Sequence, residues 1–183
     1  SYGDIPMAAV GIVKKIDMFP MNVGMGLCQG MIPLVAYNYA ARDFERMHAA
    51  SSCARNWGMA FAGICIIIFE IFARGIVNIF INDAETISMG IDFLRIMCLA
   101  TPLMICNIQM SYTFQAMGKG PQSLFLSACR QGLINIPLLF LMNAIFGLYG
   151  VVWTQLLADA LTMVISFVMY RKLYNALKVQ MEI

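Results

Sequence analysis

Three long stretches of this chain carry no charged residue. They hold 24, 23 and 28 residues and lie between Asp17 and Arg42, between Arg95 and Lys119, and between Arg130 and Asp159. About 20 apolar residues in a helix cross the ~30 Å hydrocarbon layer of a bilayer, whereas a helix in a soluble core needs only one apolar stripe. Because these stretches are apolar on every face, the pattern predicts a polytopic membrane protein.

Short polar joints divide the chain into five predicted spans. They lie at about residues 7–41, 52–72, 86–117, 122–146 and 149–171, and a tail follows at 172–183. Asn82 and Asp83 are typical of a helix N-cap, and the Gly-rich segment 118–121 is typical of a break between helices. A tight turn at 147–150 makes the last two spans antiparallel neighbours. The predicted fold class is therefore an all-α membrane protein with five transmembrane helices.

Composition agrees with this class and excludes several others. The chain is 61% hydrophobic and 12% charged, with a mean hydropathy of +0.75. A net charge of +2 does not favour a nucleic-acid partner. Six cysteines without a CxxC pair, together with a single histidine, predict neither disulfides nor a metal site. A P-loop, a GxGxxG fingerprint and a nucleophile elbow are missing from the sequence, so we expect no catalysis and no cofactor.

Lys and Arg are distributed unequally between alternate joints, which predicts the orientation of the spans. The richer side, expected to be cytoplasmic together with the C-terminus, holds Arg42, Arg46, Arg55, Lys119, Arg130, Arg171, Lys172 and Lys178. The opposite side holds Lys14, Lys15, Arg74 and Arg95. The chain begins with a polar segment that has no initiator methionine or signal peptide, and its five spans are an odd number. We therefore expect a fragment, most of one half of a transporter built from paired repeats.

Polar side chains within three spans recur at helical spacing, three, four or seven residues apart. The aligned sets are Asn22, Gly26, Gln29 and Pro33 on the first span, Asn107, Ser111 and Gln115 on the third, and Gln155, Asp159, Thr162 and Ser166 on the fifth. An amide that faced lipid would cost several kcal/mol, so these stripes face other helices or water. Hydrogen bonding between helices explains a single stripe equally well, but three stripes favour a shared cavity.

Two charges fall deep inside predicted spans. At 1.5 Å per residue, Arg130 lies roughly 15 Å from the joint at Lys119, and Asp159 lies roughly 18 Å from Arg171. Both depths start from the same membrane face, so we predict a salt bridge or a shared hydrogen-bond network between Arg130 and Asp159. The alternative is that each contacts a different helix. Glu70 and Arg74, four residues apart, are predicted to form a local pair near the membrane surface.

Segments 24–47, 111–139 and 146–167 resemble the multidrug and toxic-compound extrusion (MATE) transporters, in the bacterial branch related to the DNA-damage-inducible efflux pumps. They read GMGLCQGMIPLVAYNYAARDFERM, SYTFQAMGKGPQSLFLSACRQGLINIPLL and FGLYGVVWTQLLADALTMVISF. The resemblance covers nearly the whole chain, although Ala40 and Ala41 stand where the family more often has Gly-Ala. It would make the five spans the eighth to twelfth helices of a twelve-helix antiporter, with residues 1–5 ending the seventh.

This resemblance implies most of the C-terminal lobe of a pump in the bacterial inner membrane. Such a pump exports small cationic or amphipathic drugs against Na⁺ or H⁺ as its two lobes rock around a central cavity. The missing N-terminal lobe would be the partner, and Asn22, Gln29, Asn107, Ser111 and Gln115 would contribute to the cavity wall. One branch of the family has an acidic cation-binding residue in the tenth helix, where this chain has Asn107. Related pumps use an aspartate in the first helix, so the ion site is expected in the missing half.

Two other functions fit the same helix pattern. A lipid-linked oligosaccharide flippase of the same superfamily would line its cavity with more cationic residues, whereas Arg130 is the only deep one in the sequence. A non-transporting membrane scaffold would have no polar stripe accessible to water. Substrate identity, coupling ion and oligomeric state do not follow from the sequence.

Overall fold

The first two helices are long enough to extend beyond both faces of a bilayer. The computed structural model describes residues 4–81 and 83–179, with side chains from Pro6 to Leu177. Helix α1 covers Asp4–Ala40 and helix α2 covers Phe44–Phe80, each with 37 residues. At 1.5 Å per residue each is about 55 Å long, nearly twice the hydrocarbon thickness.

The joint between α1 and α2 is a tight turn closed by an N-cap. Arg42 adopts a left-handed conformation with φ of 57°, and Oδ1 of Asp43 accepts a hydrogen bond from the backbone N–H of Arg46 at 3.0 Å. This bond satisfies one of the free donors at the start of α2. The chain therefore reverses direction here with only three residues outside helices, and α1 packs along α2.

The third predicted span is divided by a bend. Helix α3 covers Ala84–Cys98, helix α4 covers Thr101–Ala116, and their axes meet at 44°. Pro102 lies in the first turn of α4, where its missing N–H costs no hydrogen bond. Asp83 caps α3, accepting hydrogen bonds from the backbone N–H of Thr86 at 2.9 Å and from its hydroxyl at 2.6 Å. The N-cap predicted at Asp83 is confirmed, and Asn82 lies outside the described residues.

The last third of the chain is a helical hairpin. Helix α5 covers Gly120–Ala128, a π-helical turn covers Cys129–Leu133, and helix α6 covers Asn135–Val179. Gly147 interrupts α6 with φ of 60° and ψ of −137°, a conformation that essentially only glycine adopts. The two arms of α6, residues 135–146 and 148–179, therefore fold back on each other. They approach so closely that a Cβ on Gly150 would overlap the backbone carbonyl of Met142.

The fold class predicted from the sequence is confirmed, since all the elements of the described chain are helices. Two single helices, Pro6–Ala40 and Phe44–Phe80, and the bent pair α3 and α4 are each apolar enough to cross a membrane. The fourth such segment, Gly120–Leu177, holds 58 residues and is folded at Gly147, so it supplies the remaining two predicted spans.

The helices extend past several of the predicted span limits. α2 begins eight residues before the predicted limit at 52 and ends eight after the limit at 72, because charged side chains at its ends can lie in the headgroup region without ending the helix. The second arm of α6 likewise continues through the predicted tail as far as Val179. Residues 1–3 and 180–183 lie outside the described residues, and Asp4 and Ile5 belong to α1 rather than to a preceding helix.

Three clusters of buried apolar side chains hold the bundle together. One joins α1, α2 and α3 around Val13, Phe69 and Phe93, and a second, around Met104 and Ile105, joins α1, α2 and α4. The third cluster packs the other end of the bundle and includes Met31, Val35, Met47, Phe114, Leu126 and Leu177. Many large apolar side chains remain exposed on the outer faces, as expected where lipid replaces water.

The pairing of Glu70 differs from the prediction. Oε2 of Glu70 lies 3.3 Å from Nε of Arg95 on α3, and this contact replaces the predicted local pair with Arg74. Both side chains of the observed pair are about half exposed, so the contact contributes little to stability. The prediction considered only residues on the same helix, whereas α3 packs against this end of α2.

Candidate functional site

Asp159 is a fully buried carboxylate paired with an arginine. It lies in the second arm of α6 with no exposed surface, and Nε of Arg130 donates a hydrogen bond to its Oδ1 at 2.7 Å. The Arg130 side chain is 13% exposed. The structure therefore brings together the two deep charges that the sequence placed at matching depth.

Arg130 reaches Asp159 from the π-helical turn. In this turn the backbone N–H of Ile134 donates to the carbonyl of Cys129 at 3.0 Å, five residues back. Each residue added to a helix turns the following side chains by about 100°, so a π-turn changes which face they occupy. The turn thus sets the angle between the Arg130 side chain and the apolar face of α5 that precedes it.

Three further polar groups complete the surroundings of Asp159. Nε2 of Gln155 donates to Oδ2 at 3.0 Å, and Nδ2 of Asn107 donates to the backbone carbonyl of Asp159 at 2.8 Å and to Oδ1 at 3.4 Å. Ser166 donates in turn to Oδ1 of Asn107 at 3.4 Å. Both carboxylate oxygens have hydrogen-bond donors, which is the condition for keeping a charge in a medium of low dielectric constant.

A polar cavity of about 370 Å³ lies between α1, α4 and α5. Its wall consists of Met21, Met25, Asn107, Ile108, Ser111, Tyr112, Gln115, Ser123, Ser127, Arg130 and Gln131. Asn107, Ser111 and Gln115 therefore face one space, as their spacing predicts. Asn107 is 2% exposed and makes its contacts mainly with α6, while Gln115 is exposed at the other end of the stripe.

A second space, here called the methionine cavity, has a volume of about 710 Å³. It is lined by Gly11, Lys14, Lys15, Asp17, Met18, Met21, Met97, Met104, Arg130, Gln131, Asn135 and Gln155. The two cavities share Met21, Arg130 and Gln131, so these three side chains form the wall between them. Arg130 is the charged group of this wall, and Asp159 holds it in place.

The two predicted cavity residues of α1 lie outside these spaces. Asn22 is exposed and lines neither cavity. Gln29 is also exposed, and its Nε2 lies 3.5 Å from the hydroxyl of Tyr112, which itself lines the polar cavity. The polar stripe of α1 therefore faces outward from the described bundle, while the methionines one position away on α1, Met21 and Met25, face the polar cavity.

Several lining residues were missed in the sequence. Ser123, Ser127 and Gln131 recur every fourth residue, the same spacing that revealed the α4 stripe, and they form the opposite wall of the polar cavity. In the sequence Asp17 was considered as the end of an uncharged stretch and as a charge three residues from Lys14, although it lies within α1 and also lines the methionine cavity. A helical-wheel projection of the fourth predicted span would have identified the Ser123, Ser127 and Gln131 stripe. The same projection of the first span, with its charged residues included, would have identified Asp17.

A family profile matches most of the chain. Residues 1–141 match the profile described as MatE. The chain belongs to the MatE family. Members of this family are transporters and not enzymes. In the described parts of the chain, 4–81 and 83–179, no group of His, Cys, Asp or Glu is arranged to hold a metal ion.

Curated MatE-family relatives include staphylococcal multidrug exporters. The chain is 34% identical over 162 residues to the multidrug export protein MepA of Staphylococcus aureus strain MSSA476, a match that covers 87% of this chain and 35% of that protein. The MepA of Staphylococcus saprophyticus is 33% identical over 162 residues, with the same shares. The chain thus spans about a third of the length of these relatives.

Solved MATE structures share the fold at low identity. An outward-facing multidrug resistance MATE transporter of the MOP superfamily matches with a TM-score of 0.88 at 20% identity, covering 93% of this chain and 39% of that one. An inward-facing structure, also of a multidrug resistance MATE transporter, matches with a TM-score of 0.86 at 19% identity, covering 95% and 42%. The bent form of VcmN from Vibrio cholerae matches at 0.89 and 16% identity, covering 97% and 41%.

Proposed function

We propose that this chain works as part of a longer MATE pump that exports small amphipathic or cationic drugs across the bacterial inner membrane. The observation that carries the proposal is the polar cavity, in which Asn107, Ser111 and Gln115 face a space of about 370 Å³ inside otherwise apolar helices. Uncharged hydrogen-bonding groups beside flexible methionines suit ligands of varied shape.

The movement proposed for this pump is rocking of two lobes in alternating access. In support, the chain fits an outward-facing and an inward-facing structure almost equally well, with TM-scores of 0.88 and 0.86. A lobe that turns as one body keeps its internal packing in both states. The missing N-terminal lobe would then provide the other side of the central cavity, and Asn22 and Gln29 would face it.

Export is proposed to be coupled to antiport of Na⁺ or H⁺. Asn107 stands where the sequence resemblance places a cation-binding carboxylate, and Asp159 is occupied by Arg130, Gln155 and Asn107. These contacts support an ion site in the missing N-terminal half.

The proposed orientation, with the joint after α1 and the C-terminus in the cytoplasm, follows from the distribution of Lys and Arg.

The test is drug export by a full-length pump that carries this segment. Combined replacement of Asn107, Ser111 and Gln115 by alanine should lower drug efflux at least tenfold, because each lost hydrogen bond weakens ligand binding. A matched control replaces exposed Asn56, Asn78 and Asn175 by alanine and should leave efflux unchanged. Unchanged resistance in the cavity variant would refute the proposal. In a separate experiment, collapsing the Na⁺ gradient and the H⁺ gradient one at a time would identify the coupling ion.

A lipid-linked oligosaccharide flippase is a second candidate with one observation in its favour. Lys14, Lys15 and Arg130 all line the methionine cavity. From the sequence, only Arg130 was expected to lie deep inside a membrane span. Cationic groups of this kind bind phosphates. Transport of a pyrophosphate-linked lipid into the opposite leaflet, without drug efflux, would favour the flippase over the exporter.

Water access to the polar cavity distinguishes a non-transporting membrane scaffold from the exporter and from the flippase. Gln115 is the most exposed of the three stripe residues on α4. A cysteine placed there should react with a water-soluble maleimide if the cavity is hydrated, and a scaffold would leave it unlabelled.

A further inference from the structure

Arg55 is a half-buried cation on α2 without an acidic partner in the described chain. Its Nη2 donates a hydrogen bond to the Ser52 hydroxyl at 3.4 Å. Among residues 6–81 and 83–177, no carboxylate lies within ion-pair distance of its guanidinium. Glu45 shares this face of α2 but lies ten residues earlier, roughly 15 Å away along the helix axis. The guanidinium therefore keeps donors for an anion that this part of the chain does not supply.

Polar side chains from two helices continue outward from Arg55. Nδ1 of His48 lies 3.4 Å from the Ser52 hydroxyl, and the His48 ring lies 5.2 Å from the ring of Tyr174 on α6. Tyr174 stacks on Tyr170 at 6.4 Å, and Tyr170 is within electrostatic range of Arg55. These five side chains are here called the Arg55 site. They form one layer of hydrogen-bonding groups that joins α2 to α6.

The Arg55 site lies at the depth of phospholipid headgroups. Arg55 and Arg74 are 19 residues apart on α2, roughly 28 Å at 1.5 Å per residue, which is close to the ~30 Å hydrocarbon thickness. Trp57, two residues after Arg55, is 67% exposed, and on α6 the exposed Arg171 directly follows Tyr170. Trp and Tyr are enriched at the boundary between hydrocarbon and headgroups. Both helices thus reach that boundary at the same layer.

The same two helix faces become apolar toward the membrane centre. Met59 follows Arg55 by one turn on α2, Phe167 precedes Tyr170 on α6, and both are exposed. Both helices pack on α4, where Sγ of Cys106 lies 3.5 Å from Sδ of Met59. An anion-binding layer above exposed apolar side chains matches a phospholipid, which has a charged head and acyl chains, better than a free phosphate ion.

We propose that the Arg55 site binds the phosphate of one phosphatidylglycerol molecule, whose acyl chains lie along Met59 and Phe167. Arg55 donates to the phosphate oxygens, for which the fork of guanidinium donors is suited, and Ser52 and Tyr170 add hydroxyl donors. One cation matches the single negative charge of this lipid. A zwitterionic phospholipid has its own ammonium group, which competes with Arg55 for the phosphate. The lipid site does not depend on drug export.

The test is lipid binding to the purified, delipidated full-length pump that carries this segment. Native mass spectrometry measures the dissociation constants of phosphatidylglycerol and of phosphatidylcholine with the same acyl chains. The first phosphatidylglycerol should bind about tenfold more tightly than phosphatidylcholine, because only the anionic lipid adds a net charge-assisted contact with Arg55. Added salt should reduce this difference, since it screens charges near the membrane surface. Excess inorganic phosphate should not displace the lipid, because it lacks the acyl chains.

Arg55→Gln should remove the preference for the anionic lipid. Its affinity for phosphatidylglycerol should fall about tenfold, to that of phosphatidylcholine, while phosphatidylcholine binds as before. An unchanged phosphatidylcholine affinity also shows that the variant has folded. The matched control is Arg74→Gln, because Arg74 is an exposed arginine at the opposite boundary of the same helix. This control should bind both lipids as the wild type does.

Three results would overturn the inference. Equal wild-type affinity for the two lipids would do so whether or not Arg55→Gln folds. An equal loss of phosphatidylglycerol binding in Arg55→Gln and Arg74→Gln would show a general attraction between basic residues and anionic lipid, without a site. Displacement of the lipid by inorganic phosphate would show that Arg55 binds a free anion. All three measurements are made without drug or ion gradient, so their outcome is separate from that of the efflux experiment.

Discussion

The polar groups around Asp159 replace the water that a carboxylate loses inside the bundle. Arg130 and Gln155 donate to separate carboxylate oxygens, and Asn107 adds a bond to the backbone carbonyl. A buried pair of this kind adds little net stability compared with apolar packing, but removing one partner leaves an uncompensated charge. The pair together with Asn107 therefore fixes the relative position of α4, the π-helical turn and α6 more than it stabilises them.

Replacement of Asp159 by alanine should destabilise the protein by about 3–5 kcal/mol, because Arg130 remains buried without its partner. Thermal unfolding of the detergent-solubilised protein measures the loss, and Asp92→Ala on the exposed face of α3 is the control. Exchange of the two charges, Arg130→Asp with Asp159→Arg, should recover part of the stability. If the double exchange were no better than the sum of the single ones, the two charges would not be coupled.

Asp83 makes the start of α3 sensitive to acid. Hydrogen bonds from the hydroxyl and the backbone N–H of Thr86 lower the pKa of the Asp83 carboxyl below its ordinary value. A lowered pKa in the folded state means that the cap stabilises α3 at neutral pH and that this contribution is lost as the pH falls through that pKa. The protection factors of the Thr86 and Ile87 amides, their exchange rates relative to the intrinsic rate at each pH, should fall on acidification.

In Asp83→Asn the amide oxygen still caps the helix but does not titrate in this range, so the acid-dependent loss of protection should disappear. An equal loss of protection in both proteins would assign the acid sensitivity to another group.

At the scale of elements, glycines and caps determine where the helices end. Gly118 has φ of 71° between α4 and α5, and Gly147 has φ of 60° in the hairpin of α6. Gly150 serves a different purpose, since its missing side chain lets the two arms of α6 touch at Met142. The hairpin therefore depends on one glycine for its conformation and on another for its close packing.

Gly150→Ala should separate the arms of α6 and cost roughly 1–3 kcal/mol, since its Cβ would overlap rigid backbone rather than a movable side chain. Gly63→Ala is the matched control, because a Cβ there meets no atom within 4 Å and alanine is the better helix former. Thermal unfolding should show a lower midpoint for the first variant only. Equal midpoints would mean that the arms can move apart without cost.

The apolar stretches and the Gly-rich joints were sufficient to predict the helices and the final hairpin, because both depend on local composition. Pro102 permits a kink in the third predicted span, but whether the span bends there did not follow from the sequence. Pro102 is tolerated in a first helical turn as readily as in a kink, and only packing decides which occurs. Glu70 was assigned to Arg74 for a similar reason, since contacts between helices depend on rotations that a single-helix projection does not include.

The candidate site was predictable where polar residues recur along one helix. Asn107, Ser111 and Gln115 face one cavity as their spacing indicates. The methionine cavity was not predictable, because Asp17, Met97 and Arg130 come from three distant segments and meet only after the helices pack.

At the scale of the whole molecule, the contacts between helices are extensive enough for the chain to move as one body. Ser51 on α2 and Thr113 on α4 approach to 3.1 Å between their hydroxyl oxygens, inside a buried cluster that also includes Gln109. Polar contacts of this kind between membrane helices specify one relative position. The rocking proposed above should therefore leave the α2 to α4 distance unchanged.

Cysteines at positions 51 and 113 should form a disulfide in the full-length pump without stopping drug efflux, because rocking does not separate α2 from α4. Efflux is compared before and after reduction in a background where Cys53 is serine. Inhibition that disappears on reduction would show that these helices move apart during transport, and the chain would then not act as one body.

The distribution of cysteines gives this chain a built-in reporter of sidedness. Cys53 is exposed near the start of α2, while the other five free thiols are buried. Within this chain a membrane-impermeant maleimide should therefore modify only Cys53. Labelling in intact cells would place the α1 to α2 turn outside, whereas labelling that requires permeabilised cells would place this turn, and the Arg-rich segment around it, in the cytoplasm.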